Sequence, residues 1–366
     1  MRFILAPDSF KESMTAREAA LAMSLGVRDA LPDAECVLVP MSDGGEGFVD
    51  AIASALDAKR VRAASVDALG RPIEAEYALV GSRAILDVAS CAGLELLAPA
   101  ERDAAASSTE GLGLLIRDAL SRGADSLLIG IGGSATNDAG AGMLVALGAR
   151  LIDEAGAEVR PLPAELGRAA RIDLSGLDER LAGVRVDVAS DVTNPLCGPN
   201  GATAVFGPQK GVPASRVAEF DAALAGFARA SGSPALADLP GSGAAGGLGF
   251  ALRAFLGASL APGVDLVADA VGLDEAIAGA SLVLTGEGSV DAQTLHGKAP
   301  AGVLARARAA GIPVLVFAGR AGEGAEVLLG NGVERIVVIS DPAAPLTASL
   351  RNGPANLRRA VAEALR

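Results

Sequence analysis

Six acids stand in short polar loops: Asp8, Asp43, Glu46, Asp191, Glu287 and Asp291. Oxygen-rich loops of this kind suit Mg²⁺, which takes one or two carboxylates and fills the rest of its shell with water and substrate phosphates. The chain has one histidine, His296. That excludes a histidine-rich zinc site and any mechanism resting on two imidazoles, so carboxylates must carry the acid–base work. Lysine is almost as scarce, at four of the 31 basic residues. Three of the four, Lys11, Lys210 and Lys298, lie in Ser/Gly/Pro loops, while Lys59 sits in an ordinary stretch. An ammonium is a compact charge that can aim at one phosphate oxygen, which a planar guanidinium cannot replace like for like. At least two of the three loop lysines are therefore expected to meet a ligand.

Residues 130–142, GIGGSATNDAGAG, follow the apolar run 127–131 and precede a helical pattern carried by Met143, Leu144 and Leu147. Glycines allow left-handed dihedrals and close approach of a ligand. A following helix adds unpaired N–H groups and the positive end of its dipole. The turn thus reads as a place where an anion can touch backbone. It carries neither GxxxxGK[ST] nor GxGxxG followed by an acid about 20 residues on, so neither a P-loop nor a dinucleotide fold is indicated.

The other polar loops end similar apolar runs, at 3–6, 36–39, 184–189 and 282–284. Ligands of open α/β sheets bind outside the carboxyl ends of the strands, which places these loops at a shared site. Thr15–Glu18 and Ser107–Glu110 have capping-box spacing and predict helices running to about Leu31 and Leu120. Strand–helix alternation at both chain ends implies parallel βαβ units. Between about 61 and 88 the rhythm breaks into short alternating runs around Gly70-Arg71-Pro72 and Gly81-Ser82-Arg83, which predict hairpins. The expected architecture is α/β: residues 1–65 plus 262–366 form a doubly wound parallel sheet of Rossmann or flavodoxin type, and 66–261 form an inserted α/β domain. The active site is expected in the cleft between the two. Residues 241–249 read as a Gly/Ala turn leading into a helix.

At 366 residues two domains are the default. A net charge of -13, no tryptophan and a single tyrosine, Tyr77, argue against nucleic acid as a partner. No apolar run reaches the roughly 18 residues that span a bilayer, and residues 1–5 lead straight into Pro7 and Asp8 as a first strand would. Cys36, Cys91 and Cys197 are far apart and form no metal-ligand pair, which suggests a reducing, cytoplasmic setting.

Seven segments together resemble the signature segments of bacterial glycerate kinases of the first type: APDSFKES (6–13), SDGGEG (42–47), GGSATND (132–138), DVTNPLCGPNG (191–201), FGPQKG (206–211), GAAGGLG (243–249) and TGEGSVDAQTLHGKAP (285–300). They follow one another in order over nearly the whole chain. The resemblance implies ATP-dependent phosphorylation of D-glycerate, at the 2-hydroxyl rather than the 3-hydroxyl, by a two-domain enzyme acting as a monomer or homodimer. Phosphoryl transfer to a hydroxyl needs a carboxylate for the hydroxyl, Mg²⁺ on phosphate oxygens and donors for the transferred charge. On this reading Gly132, Gly133, Ser134, Thr136 and Asn137, with the turn Thr285, Gly286, Glu287 and Gly288, hold nucleotide phosphates. Asp191 activates the hydroxyl, and Asp43 with Glu46 or Asp291 binds magnesium. Lys11 and Lys298 join Ser9 and Asn194 at the substrate carboxylate and the transferring phosphoryl group. Asp8 and His296 complete the substrate site, His296 as a loop-ordering hydrogen-bonder. A kinase of another small hydroxyacid or sugar is the nearest alternative, and a phosphate-binding hydrolase a more distant one.

Overall fold

The computed structural model describes residues 1–45, 47–295, 297–341 and 343–366, and of Gln293 only the backbone. The expectations for Glu46 and His296 therefore lie outside the described residues. In chain order the strands are β1 (Arg2–Leu5), β2 (Glu35–Leu38), β3 (Lys59–Val66), β4 (Pro72–Val80), β5 (Arg83–Asp87), β6 (Ser126–Gly130), β7 (Arg150–Ile152), β8 (Glu158–Val159), β9 (Arg171–Asp173), β10 (Arg185–Ala189), β11 (Ser259–Ala261), β12 (Leu282–Val290), β13 (Val314–Ala321) and β14 (Val333–Val338). The chain divides into two compact units. The first comprises Met1–Asp43, Asp50–Ala58 and Pro262–Arg366, the second Gly44–Val49 and Lys59–Ala261.

The first unit is a five-stranded sheet in the order β14-β13-β12-β1-β2, parallel at every pairing. Phe3, Leu5, Leu284, Leu315 and Phe317 pack with Ala19, Met23, Val27, Leu357 and Val361 in one core cluster. The helices Ala16–Ala30 and Gly353–Ala364 thus cover one face. The alternating residues Ile4, Val283 and Val316 are equally buried and point to the other face by strand periodicity. Burial on both faces is why these strands read as continuous apolar runs. The first helix starts as its sequence predicts: the Thr15 hydroxyl accepts from Glu18 N–H at 3.2 Å, and Glu18 accepts from Thr15 N–H at 2.9 Å.

One expectation fails here. The segment 285–288, read as a turn, is strand: β12 continues to Val290 and pairs with β13 as far as Val290↔Ala321. Long-range pairing overrides the weak strand preference of Gly and Glu.

The second unit's sheet runs β11-β10-β6-β5-β4-β3. β11, β10, β6 and β5 are parallel, and β4 and β3 add two antiparallel strands through the expected hairpins. β3 pairs with β4 along its whole length, Lys59↔Leu79 to Val66↔Pro72. It therefore clusters with the second unit, although the sequence reading ran the first domain to residue 65. A small antiparallel sheet, β8-β7-β9, is inserted in the chain between β6 and β10. Tyr77 is buried, and its hydroxyl donates to Asp118 at 2.7 Å.

The second capping box does not form. The helix Glu110–Ser121 has Thr109 at its N-cap with no side-chain cap. Ser107 instead accepts from the Asn137 N–H at 3.3 Å, and the Thr109 hydroxyl donates to Asp138 at 2.8 Å. Tertiary partners took both hydroxyls.

Candidate active site

In the first unit the site is built where β1 and β12 run side by side. The Ala6 N–H donates to Leu284 O and the Asp8 N–H to Gly286 O, at 2.8 and 2.9 Å. Thr285 is fully buried, and its hydroxyl donates to Ala6 O at 2.7 Å. Thr285 is thus a tie between strands, with its proton already committed. A Cβ on Gly286 would lie 2.0 Å from Phe317 O, so this glycine serves strand packing, whereas one on Gly288 would meet the Lys11 backbone N at 3.3 Å. Thr285, Glu287 and Ser289 share one face of β12.

Glu287 is the hub. Its Oε1 accepts from the Thr294 hydroxyl at 3.1 Å and from Lys298 Nζ at 3.3 Å, and Lys298 also donates to Ser289 O at 3.3 Å. Thr294 in turn accepts from the Asp291 N–H at 3.0 Å. Burial raises the Glu287 carboxyl above its ordinary range, opposed by Lys298 and Thr294 and reinforced by Asp43. Asp8 is pushed further, up to about 8, by burial and then by the fields of Asp43 and Glu287; the Ser9 N–H at 2.6 Å and the charge of Lys11 only partly offset this. Lys11 is exposed, and Lys298 is half-buried at the N-cap of the helix Ala299–Ala309. The first unit therefore gathers Asp8, Ser9, Lys11, Asp43, Glu287, Asp291 and Lys298. Among the described residues no three acid, cysteine or histidine side chains form a ready-made metal cage. A magnesium–phosphate complex does not require one.

In the second unit the carboxyl ends of β5, β6 and β10 lie in register, with Asp87↔Gly130 and Ala189↔Gly130 as last pairs. Gly44 and Phe48 pack against them. A Cβ at Gly132 would lie 2.7 Å from Gly45 Cα, and Gly132 N–H donates to Gly44 O at 3.3 Å. The glycines here permit chain-on-chain packing. Asp87, which sequence reasoning missed, accepts from the Ser90 N–H at 2.7 Å and from the Val49 N–H. Burial raises its carboxyl against those bonds.

Past β6 the glycine turn differs from the open anion cradle expected. The helix that follows is only Ala141–Ala146. The anion at its start is the chain's own Asp138, whose Oδ2 accepts from the N–H groups of Thr109 and Gly142 and from the Thr109 hydroxyl, at 2.8, 3.0 and 2.8 Å. Oδ1 accepts from the Gly140 N–H at 3.1 Å. Thr136 and Asn137, expected on nucleotide phosphates, are fully buried. Asn137 Nδ2 donates to Thr203 at 3.0 Å. Ser134 is nearly buried as well, leaving Gly132 half-buried and Gly133 exposed as the part of the turn a ligand can reach.

The loop after β10 leaves Asp191 exposed and Asn194 half-buried. Asn194 Nδ2 donates to Asn200 O at 2.8 Å, closing the loop. Residues 243–247 tie this loop to the glycine turn: Gly243 N–H donates to Asn194 O and Ala139 N–H to Gly246 O, both at 2.9 Å. Ala245, Gly246 and Gly247 are all left-handed, at φ 53, 68 and 92°. The sequence showed this segment as a Gly/Ala turn leading into a helix, without its role as a spacer between the two loops.

Comparison with known proteins shows the family. The glycerate kinase family model matches residues 3–366. A protein of Bacillus subtilis (strain 168) named glycerate kinase is 43% identical, covering 94% of this chain and 92% of its own. One of Escherichia coli (strain K12) named glycerate 2-kinase is 41% identical, with 98% and 96% covered. A crystallised protein of Salmonella typhimurium LT2 superimposes with a TM-score of 0.89 at 41% identity, over 100% of this chain and 97% of that one. No described helix is long and apolar enough to cross a membrane. With a family model matching residues 3–366 and relatives alike over nearly its whole length, the chain belongs to the glycerate kinase family.

Proposed function

We propose that this chain transfers the γ-phosphoryl group of ATP to the 2-hydroxyl of D-glycerate. The observation that carries this reading is the crowding of Asp8, Asp43 and Glu287 beside two lysines, with burial and mutual repulsion raising Asp8 and Glu287. Such a group favours a cation brought in on an anion, as a magnesium–nucleotide complex would be. Bound there, magnesium would neutralise phosphate charge, held by Asp43 and Asp291 with Glu46 as a further candidate. Lys11 and Lys298 offer ammonium donors to the substrate carboxylate and the transferring group. Ser9, Asn194 and His296 are proposed to orient the substrate. The exposed backbone of Gly132 and Gly133 is proposed to face the nucleotide, with Ser134, Thr136 and Asn137 supporting it from below.

Asp191 is assigned the hydroxyl. As its carboxylate takes the proton, the substrate oxygen forms its bond to phosphorus, the bond to the β-phosphate oxygen breaks and ADP leaves. The E. coli relative's name supports the 2-hydroxyl as acceptor. An ATP-coupled panel of D-glycerate, L-glycerate, glycerol and small sugars tests the substrate. D-glycerate should turn over with magnesium, and glycerol, lacking the carboxylate, should be at least about 30-fold poorer in kcat/KM, the scale of one charge-assisted contact. Equal turnover of glycerol, or ATP hydrolysis without any acceptor, would defeat the assignment.

A further inference from the structure

Lys210 has no role in the chemistry above, yet it is the one buried lysine, 3% exposed. It lies in the FGPQKG loop, 74 residues beyond the turn it touches. Its Nζ donates to Ser134 Oγ at 2.9 Å and to Thr136 O at 2.8 Å. The base of the lysine is fixed too. Gly211 has φ 96°, and a Cβ there would lie 2.3 Å from Arg102 O, while Arg102 Nη1 donates to Gln209 O at 3.3 Å. Asp138, four-fold hydrogen-bonded within the same turn, supplies the opposing charge. Burial nonetheless pushes the ammonium down to about 7. Interiors rarely keep such a charge where apolar packing would serve.

We infer that Lys210 is a positioning residue for the nucleotide: by clamping Ser134 and Thr136 it sets the backbone of Gly132 and Gly133, the exposed part of the same turn. Backbone bonds hold the turn as well, through Leu94 N–H to Gly133 O at 2.8 Å and Ala135 N–H to Ala92 O at 2.8 Å. Lys210 adds the side-chain tie at Ser134 and Thr136, beside the Gly132 N–H to Gly44 O bond that holds the start of the turn. The inference rests on the proposal that Gly132 and Gly133 face the nucleotide.

The test is calorimetric binding of a non-hydrolysable ATP analogue with magnesium to wild type, Lys210→Met and Lys210→Gln, alongside steady-state kinetics. Folding is followed by the fluorescence of Tyr77, the sole tyrosine in a chain without tryptophan. Lys210→Met should remain folded with nucleotide Kd raised tenfold or more and KM for D-glycerate moved less than twofold. Lys210→Gln, which keeps a donor, should recover part of the loss. A folded Lys210→Met that binds nucleotide within twofold of wild type overturns the inference. Failure of both variants to fold overturns it as well, since the lysine would then be a general stabiliser. A wild-type protein that binds no nucleotide defeats the functional reading instead.

Discussion

Gly246→Ala should unfold the second unit at a far lower denaturant concentration than wild type. A Cβ at this position would stand 2.0 Å from Thr136 O and 2.6 Å from Asn137 Cα, both backbone atoms of the buried turn. Neither can swing aside, and the residue also sits at φ 68°. Overpacking and the left-handed dihedral together should cost about 3 kcal/mol or more, moving the urea midpoint by roughly 1 M or more. Gly257→Ala is the control, because it has the same kind of dihedral, φ 63°, with nothing within 4 Å. It should cost only about 1 kcal/mol. Tyr77 fluorescence reports both. Equal midpoints for the two variants would mean that residues 243–247 do not clamp the turn.

Asp8→Asn should trade activity for stability. The folded chain holds the Asp8 proton up to about pH 8, whereas an unfolded aspartate releases it near 3.8. Between those limits the native state binds more protons, so wild-type stability falls as pH rises through the window. Asparagine cannot ionise, removes the repulsion from Asp43 and Glu287 and keeps an acceptor for the Ser9 N–H. In magnesium-free buffer at pH 8 the variant should be more stable by about 1 kcal/mol or more, an advantage that shrinks toward pH 4. Its kcat/KM for D-glycerate should drop roughly 30-fold, the scale of one charge-assisted contact. Thermal melts at several pH values together with kinetics decide it. A variant no more stable than wild type at pH 8 would remove the crowding argument.

Much of the frame could be read from residues alone. β1, β6 and β12 carry apolar runs because parallel strands are covered on both faces, and the Thr15–Glu18 box is a local device needing no distant partner. What escaped depends on contacts far apart in sequence. β12 extends through Gly286 and Gly288 because β13 pairs with it. Ser107 and Thr109 abandon the helix they flank for Asn137 and Asp138, some 30 residues away. The glycine turn was recognised, but its Gly140 and Gly142 N–H groups are taken by Asp138, which the sequence did not mark as the turn's own anion. Asp87 was likewise an ordinary letter until burial gave it partners, and Lys210, singled out as a loop lysine, gave no sign that its partners would be Ser134 and Thr136. Of the loop lysines, Lys298 lies among the acids, Lys11 acts on Asp8 from an exposed position, and Lys210 is internal.

The central claim is transfer of phosphate from ATP to one particular oxygen of D-glycerate, and phosphorus NMR of the reaction products reads that directly. Purified chain, D-glycerate, ATP and magnesium should yield ADP and one new monoester whose phosphorus couples to the single methine proton at C2, a doublet. A triplet from the two methylene protons at C3 would contradict the assigned hydroxyl, and inorganic phosphate without any ester would contradict the kinase itself.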